Sequence, residues 1–134
     1  MKVSRKRIIL SVVIVTFIFG LIVGAAYLKN VADYKKAVKE TTFDEINISD
    51  IPDGIYIGEY DVNFIYAKVE VTVQTGKITD IRILEHRHER GKAAEAIIDE
   101  IVDEQRIDVD AISGATNSST VLKKAVENAL KSGL

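Results

Sequence analysis

The stretch FIYAKVEVTVQT, residues 64–75, decides the fold, because it alternates apolar and polar side chains from Ala67 to Gln74. The apolar positions are Ala67, Val69, Val71 and Val73, and the polar positions are Lys68, Glu70, Thr72 and Gln74. A period of two is typical of a β-strand with one buried face. The sequence therefore predicts a half-buried strand here, around which the flanking segments are arranged.

Two further strand-like segments flank this one. Residues 55–61 place Tyr56, Gly58 and Tyr60 on one face and Ile55 and Ile57 on the other. A short turn at Thr75 and Gly76 leads into a third apolar series, made of Ile78, Ile81, Ile83 and Leu84. Strands joined by such short links predict an antiparallel meander.

From Gly91 onward the apolar spacing becomes helical. The first helical series is Ala94, Ile97, Ile98, Ile101 and Val102; the second, from near Asn117, is Val121, Leu122, Ala125, Val126, Ala129 and Leu130. On the second helix Lys123, Lys124, Glu127 and Lys131 are expected to face solvent. The link, residues 105–111, either is irregular or forms a strand through Ile107 and Val109. Together these segments predict an α+β domain, a small antiparallel sheet with two helices packed on one face, over residues 51–134.

An uncharged apolar run, residues 8–28, precedes the domain. It is long enough to cross a hydrocarbon core of about 30 Å. The basic residues of segment 1–7 predict a cytoplasmic N-terminus and an extracytoplasmic domain, with residues 29–50 as a helical stalk and linker. A signal peptide cleaved near Ala25 is the alternative, but the run exceeds the usual signal core of about 7–15 residues. We therefore expect a retained single-pass membrane anchor.

Charge and cysteine content exclude several classes of protein. Four of the 18 basic residues precede the apolar run, whereas all 20 acidic residues follow it, so the part beyond Leu28 has a net charge of −6. Nucleic-acid binding usually requires a basic surface, so this function is not expected. The absence of cysteine excludes disulfides and thiolate metal sites.

The stretch DAISGATNSS, residues 110–119, is rich in small and hydroxyl side chains and leads into the first turn of the last predicted helix. A helix N-terminus presents unpaired N–H groups and favours a phosphate. Gly114 and Ala115 leave room for a ligand, and Thr116 places a hydroxyl at this point. The alternative is that Thr116 or Ser113 only caps the helix, and that Asp110 only forms a turn.

The same residues resemble the flavinylation motif of the FMN-binding domain family, which includes the C subunit of the sodium-pumping NADH:quinone reductase and the G subunit of the Rnf complex. Segments 53–60 and 76–80 and the final helix are also similar to this domain. The resemblance implies that Thr116 carries FMN through a phosphoester bond made by a flavin transferase that uses FAD. It further implies that Ser113, Gly114, Ala115 and Asn117 surround the cofactor, and that Asp110 is read by the transferase or lies near its Mg²⁺.

Two histidines, His86 and His88, lie two apart and share a strand face if the third strand continues that far. This spacing suits a metal, but no third ligand is obvious, since Glu85 and Glu89 are only nearby acceptors; we predict no metal site. The other interpretation is a solvated strand end. By the resemblance, His86 matches a histidine that lines the flavin pocket, with Gly91 letting the helix start approach the cofactor. Segment 87–90 departs from the Thr-x-Gly found in many relatives.

Tyr56 and Tyr60 flank Gly58 on one face of the first strand. Such aromatics either belong to the core or accept a flat ring, so Tyr56 is a candidate flavin contact.

We expect a membrane-anchored electron carrier, with a membrane redox partner and an external acceptor, rather than a complete enzyme. The alternatives are a sensor that binds FMN or another phosphate ligand non-covalently, and a structural membrane protein.

Overall fold

The computed structural model describes residues 2–88 and 91–134. Its helices are α1 (Arg5–Glu40), α2 (Ile97–Glu104) and α3 (Thr116–Lys131), with short 3₁₀ helices at Ile48–Asp50 and Lys92–Ala96. The strands β1 (Gly54–Asp61), β2 (Tyr66–Gln74) and β3 (Lys77–Arg87) form one antiparallel sheet in the order β1-β2-β3. This confirms the α+β prediction. The chain divides into two compact units, residues 1–33 and 34–134.

The first unit is the N-terminal part of α1. Its apolar side chains, from Ile8 to Leu28, are exposed on all sides. The helix is long and apolar enough to cross a membrane, and its most apolar window has a mean hydropathy of 2.9. Residues 29–40 continue the same helix, as the spacing predicted.

The second unit is built on β2. Ala67, Val69, Val71 and Val73 are all 0% exposed, which confirms the buried face. On β3 the core residues Ile78 and Ile81 are three apart rather than two. The spacing follows from a bulge: Thr72 pairs with Asp80 while Val73 pairs with Ile78, so Thr79 is left over and both isoleucines reach the core.

Helix α3 crosses directly over β1 at Gly58. A Cβ atom at Gly58 would lie 2.2 Å from both the carbonyl oxygen of Ala125 and the amide nitrogen of Ala129. Only glycine permits this approach of strand and helix backbones. The contact fixes α3 over the sheet and thereby positions the residues at the start of the helix.

The structure decides one open alternative, the conformation of the link, and corrects one expectation. Residues 105–115, all of which the structure describes, contain no strand. Instead Gln105, at a left-handed φ of 55°, uses its side-chain amide to bond the N–H and the carbonyl of Ile78 at 2.8 and 2.7 Å. The side chain thus occupies the edge of β3 that a strand through Ile107 would have needed.

The correction concerns Lys123 and Glu127, which were expected to face solvent but are 7% and 0% exposed. A strap, residues 41–46, crosses the polar face of α3 and covers them. Lys124 donates to the carbonyl of Thr42 at 2.8 Å, and Lys131 forms an ion pair with Asp44.

Candidate functional site

The loop before α3 is held against the helix by one buried serine. The Ser119 hydroxyl donates to the carbonyl of Ala115 at 2.8 Å and accepts the N–H of Ile112 at 3.0 Å. The Ala115 N–H bonds the Ile112 carbonyl at 3.0 Å, and Gly114 makes the turn at φ +80°. These bonds set the position of the first helical residue, Thr116.

Thr116 is exposed, and its hydroxyl takes no part in the side-chain hydrogen bonds of the described residues. The capping position belongs to Ala115, which makes no side-chain bond to the helix. The interpretation of Thr116 or Ser113 as a cap is therefore wrong for this structure. The first N–H groups of the helix lack intrahelical partners, and the helix dipole favours an anion beside them.

A cleft of about 360 Å³ opens beside Thr116. This volume is at the lower end of the range for small-molecule sites, about 300–1,000 Å³. Its lining residues come from four parts of the chain: Tyr34, Phe64, Ile65, Gly91, Gly114, Ala115, Thr116, Asn117 and Ser118. The cleft thus combines a helix N-terminus with an apolar, aromatic wall.

The aromatic wall of the cleft was not anticipated from the sequence. The rings of Tyr34 and Phe64 meet edge to face, with centroids 5.3 Å apart at 68°. Tyr34 lies on the last part of α1, which was expected to form the stalk. The available signal was its helical spacing with Ala37 and Val38, which are packed into the same core.

The predicted site residues divide into two groups. Gly114, Ala115, Thr116 and Asn117 line the cleft, and Ser113 directly precedes them. The exposed Asp110 is not among the lining residues. The cofactor roles of all of them stay predictions.

Tyr56 lies elsewhere, on the sheet face that α3 covers. Its hydroxyl donates to the carbonyl of Pro52 at 2.5 Å. Because the α3 backbone occupies the space above Gly58, Tyr56 and Tyr60 do not flank an open surface in this structure. Their place among partly buried residues packed against the core agrees with the other interpretation, that of core aromatics.

His86 is not part of a solvated strand end, because its side chain is 1% exposed. Its Nδ1 lies 3.1 Å from Oε1 of Glu95, and its Nε2 has no partner among the described residues. Burial lowers the pKa of His86, and His88 adds to this effect, while the hydrogen bond to Glu95 opposes it. The net effect favours the neutral ring.

His88 contacts both His86 and Gly91, and Gly91 lines the cleft. The two histidine rings have centroids 4.5 Å apart, and the Gly91 N–H donates to Nδ1 of His88 at 3.0 Å. Gly91 in turn packs on Ser118, because a Cβ there would lie 1.8 Å from the Ser118 hydroxyl oxygen. His86 itself is not among the cleft-lining residues. Glu89, the other predicted acceptor, lies outside the described residues.

Comparison with known families gives one match. Residues 66–131 match the model of the FMN-binding domain, a range that contains β2, β3, α2, the DAISGATNSS stretch and all of α3. No curated protein matches the chain. The match indicates FMN as the cofactor, and the cleft agrees with it, because an exposed hydroxyl, a helix N-terminus and two aromatic rings meet there.

Proposed function

Because the chain belongs to the FMN-binding domain family, we propose that it is a membrane-anchored, extracytoplasmic electron carrier with FMN esterified to Thr116. The observation that carries this proposal is the unengaged, exposed hydroxyl of Thr116 at the first position of α3, on the rim of the cleft. A hydroxyl that served as a cap would be buried in local hydrogen bonds; this one is available for modification.

The attachment is a phosphoryl transfer from FAD, catalysed by a separate flavin transferase. A bond forms between Oγ of Thr116 and the FMN phosphorus, the pyrophosphate bond of FAD breaks, and AMP leaves. The threonine proton passes to a base of the transferase. The exposure of Asp110, in the same loop, supports a role for this residue in recognition by the transferase or in contact with its Mg²⁺.

The chain's own residues then hold the ester. The N–H groups of the first turn of α3 and the helix dipole stabilise the phosphate. Gly114 approaches it without obstruction, since a Cβ there would meet nothing within 4 Å. Tyr34 and Phe64 supply the apolar wall for the flavin ring, and Asn117 borders it.

When bound, FMN supplies the electron-accepting and electron-donating chemistry. The protein keeps the cofactor attached outside the cytoplasm and leaves part of the ring accessible, because the cleft is open to solvent. Accessibility is what a carrier needs in order to meet a donor and an acceptor in turn. The apolar helix α1 would keep the domain at the membrane, which raises its effective concentration near a membrane-bound donor.

The attachment is tested by coexpressing the chain with a flavin transferase. We expect a mass increase equal to FMN less water, and flavin fluorescence that survives denaturing electrophoresis. Thr116→Ala should remove both. Thr120→Ala is the matched control, because this hydroxyl lies one turn later and already bonds the carbonyl of Thr116 at 3.0 Å. Covalent flavin in Thr116→Ala would show that the assignment is wrong.

Electron transfer and topology need separate experiments. Membranes supplied with NADH should reduce the attached flavin, and a soluble acceptor should reoxidise it. If the flavin is covalent but no respiratory membrane preparation reduces it, the chain is a sensor instead. Protease added to intact cells should digest the domain, and protection would reverse the proposed orientation.

A further inference from the structure

Both histidines of the chain lie near the end of β3, close to the cleft-lining Gly91, and their rings carry protons on different nitrogens. Because a carboxylate only accepts hydrogen bonds, Nδ1 of His86 donates to Oε1 of Glu95, 3.1 Å away. Nδ1 of His88 instead accepts the N–H of Gly91 at 3.0 Å, so a neutral His88 carries its proton on Nε2. The two rings are therefore in opposite tautomeric forms.

The backbone of Gly91 is held on both sides. Its N–H is bonded to His88, and its carbonyl accepts the N–H of Ala94 at 3.0 Å, at the start of the 3₁₀ helix Lys92–Ala96. Gly91 also packs closely on Ser118, since a Cβ atom would lie 1.8 Å from the hydroxyl oxygen. A displacement of Gly91 therefore moves both the start of the 3₁₀ helix and one wall of the cleft.

Protonation disfavours this arrangement at both rings. An imidazolium has two donors and no acceptor, so a protonated His88 releases the Gly91 N–H. A protonated His86 gains a proton on Nε2, an atom that is buried and has no partner among the described residues. Burial of an unpaired donor on a charged ring is unfavourable, and two cations whose ring centroids lie 4.5 Å apart repel each other. The arrangement therefore requires two neutral imidazoles.

We propose that His88 is a positioning residue that holds Gly91 in the wall of the cleft, and that mild acid releases this contact by protonating the ring. His86, fixed by Glu95, supports the ring of His88 from the side. On an extracytoplasmic domain the wall responds to the pH outside the cell. This consequence for the flavin site rests on the proposed function, whereas the contact between His88 and Gly91 does not.

The charged neighbours of His86 agree with a loss of stability in acid. Among the described residues, the titratable groups that act on His86 are Glu95 of the 3₁₀ helix and His88 of the same strand. From β2 the uncharged Ala67 lies opposite, and the first turn of α3, residues 116–119, contains no charged side chain. Burial lowers the pKa of His86 below its ordinary value of 6.5, although Glu95 opposes this effect. The unfolded segment therefore binds more protons as the pH falls below that value, so the folded arrangement is stabilised above it and loses stability below it.

The test is hydrogen exchange of the full chain in detergent, produced in a host without a flavin transferase, so that the result does not depend on flavin attachment. The protection of the Gly91 amide is compared with that of Val71, in the middle strand of the sheet, at about pH 7.5 and about pH 5.5. Opening that exposes one histidine becomes about tenfold more favourable one unit below its ordinary pKa of about 6.5. The protection of Gly91 relative to Val71 should fall by this factor, and an unchanged ratio would overturn the proposal.

Two variants separate the acceptor from the titration. His88→Asn keeps an acceptor oxygen near the position of Nδ1 and does not titrate, so it should protect Gly91 at both pH values. His88→Ala has no acceptor and should show the low protection already at about pH 7.5. Glu85→Ala is the matched control, because this exposed carboxylate is next to His86, and it should behave as the parent does. Parent-like protection of Gly91 in His88→Ala would show that His88 does not position it.

Nitrogen NMR spectra of the parent test the ring forms without any substitution. At about pH 7.5 we expect His86 to carry its proton on Nδ1 and His88 to carry its proton on Nε2. A proton on Nδ1 of His88 would exclude the bond from the Gly91 N–H and would overturn the proposal, even if a variant failed to fold.

Discussion

The two ends of α3 differ in what surrounds them. The first turn, residues 116–119, opens on the cleft with an exposed Thr116. The second half, residues 123–131, is enclosed by the sheet on one side and the strap on the other. Even the charged Glu127 is 0% exposed there.

Glu127 shows how the second half is held. Its Oε1 accepts from Lys124 at 3.0 Å and from Lys131 at 2.8 Å, while its Oε2 has no partner among the described residues. Lys131 also pairs with Asp44 of the strap, and this carboxylate holds the pKa of Lys131 above its ordinary value. The start of α3 thus carries the candidate attachment site, whereas its second half stabilises the domain. Substitutions in the second half should lower stability, and substitutions at the start should affect flavin attachment.

The largest effect on stability is expected from Glu127→Ala. It leaves Lys124, whose side chain is 18% exposed, without its carboxylate partner. Removing one member of a buried ion pair typically costs about 3–5 kcal/mol, and we expect a loss near the lower end because Lys131 keeps Asp44. Pulse proteolysis of the detergent-solubilised chain in urea measures the loss.

Glu127→Gln is the control for this change, because it keeps the shape and one acceptor oxygen while it removes the charge and replaces the other oxygen by an NH₂ group. It should cost less than the alanine variant. If both variants unfold at the same urea concentration as the parent, the ion pairs of Glu127 do not contribute to the stability of the domain.

A smaller loss is expected from Gly58→Ala, beneath the same half of the helix. The new Cβ would lie 2.2 Å from backbone atoms of Ala125 and Ala129, so strand and helix must separate. Overpacking of this kind costs about 1–3 kcal/mol. Urea unfolding measures it, and attached flavin should remain in the molecules that stay folded. An unchanged free energy of unfolding would mean that α3 and β1 can move apart at Gly58 at no cost in stability.

Ser119→Ala tests how the loop before α3 is held against the first turn of the helix. The variant loses two hydrogen bonds: the one that the Ser119 hydroxyl donates to the Ala115 carbonyl and the one that it accepts from the Ile112 N–H. We expect the free energy of unfolding to fall by about 1–2 kcal/mol. Covalent flavin should be retained, because Thr116 is unchanged. Thr120→Ala, which loses one bond at a half-buried position, should cost less. The opposite order would show that Ser119 does not hold the loop.

The smallest effect on stability is expected from Thr116→Ala, although it should remove the covalent flavin entirely. Exposed positions without side-chain bonds usually tolerate substitution within about 0.5 kcal/mol. Urea unfolding of the unmodified parent and variant compares them directly. A loss above about 1 kcal/mol would indicate a capping role for this hydroxyl.

Much of the fold follows from local pattern. The period of two in β2, the short turn at Thr75 and Gly76, and the helical spacing of α3 each predicted an element that the structure confirms. These patterns predict secondary structure because their apolar residues all lie on the same buried face of the strand or helix. The DAISGATNSS stretch likewise indicated the family and placed Thr116 at the start of a helix, since a motif and a helix start are both local features.

The sequence by itself determined the elements, the apolar N-terminal helix and the candidate attachment residue. Only the tertiary structure decided what covers them. The strap reaches α3 across 82 and 87 positions of sequence, Tyr34 meets Phe64 across the cleft, and Glu95 meets His86 from a separate helix. No period links such residues, because their contacts depend on how the elements pack and not on neighbours along the chain. For that reason the burial of Glu127 and the contact between Glu95 and His86 became visible only in the folded chain.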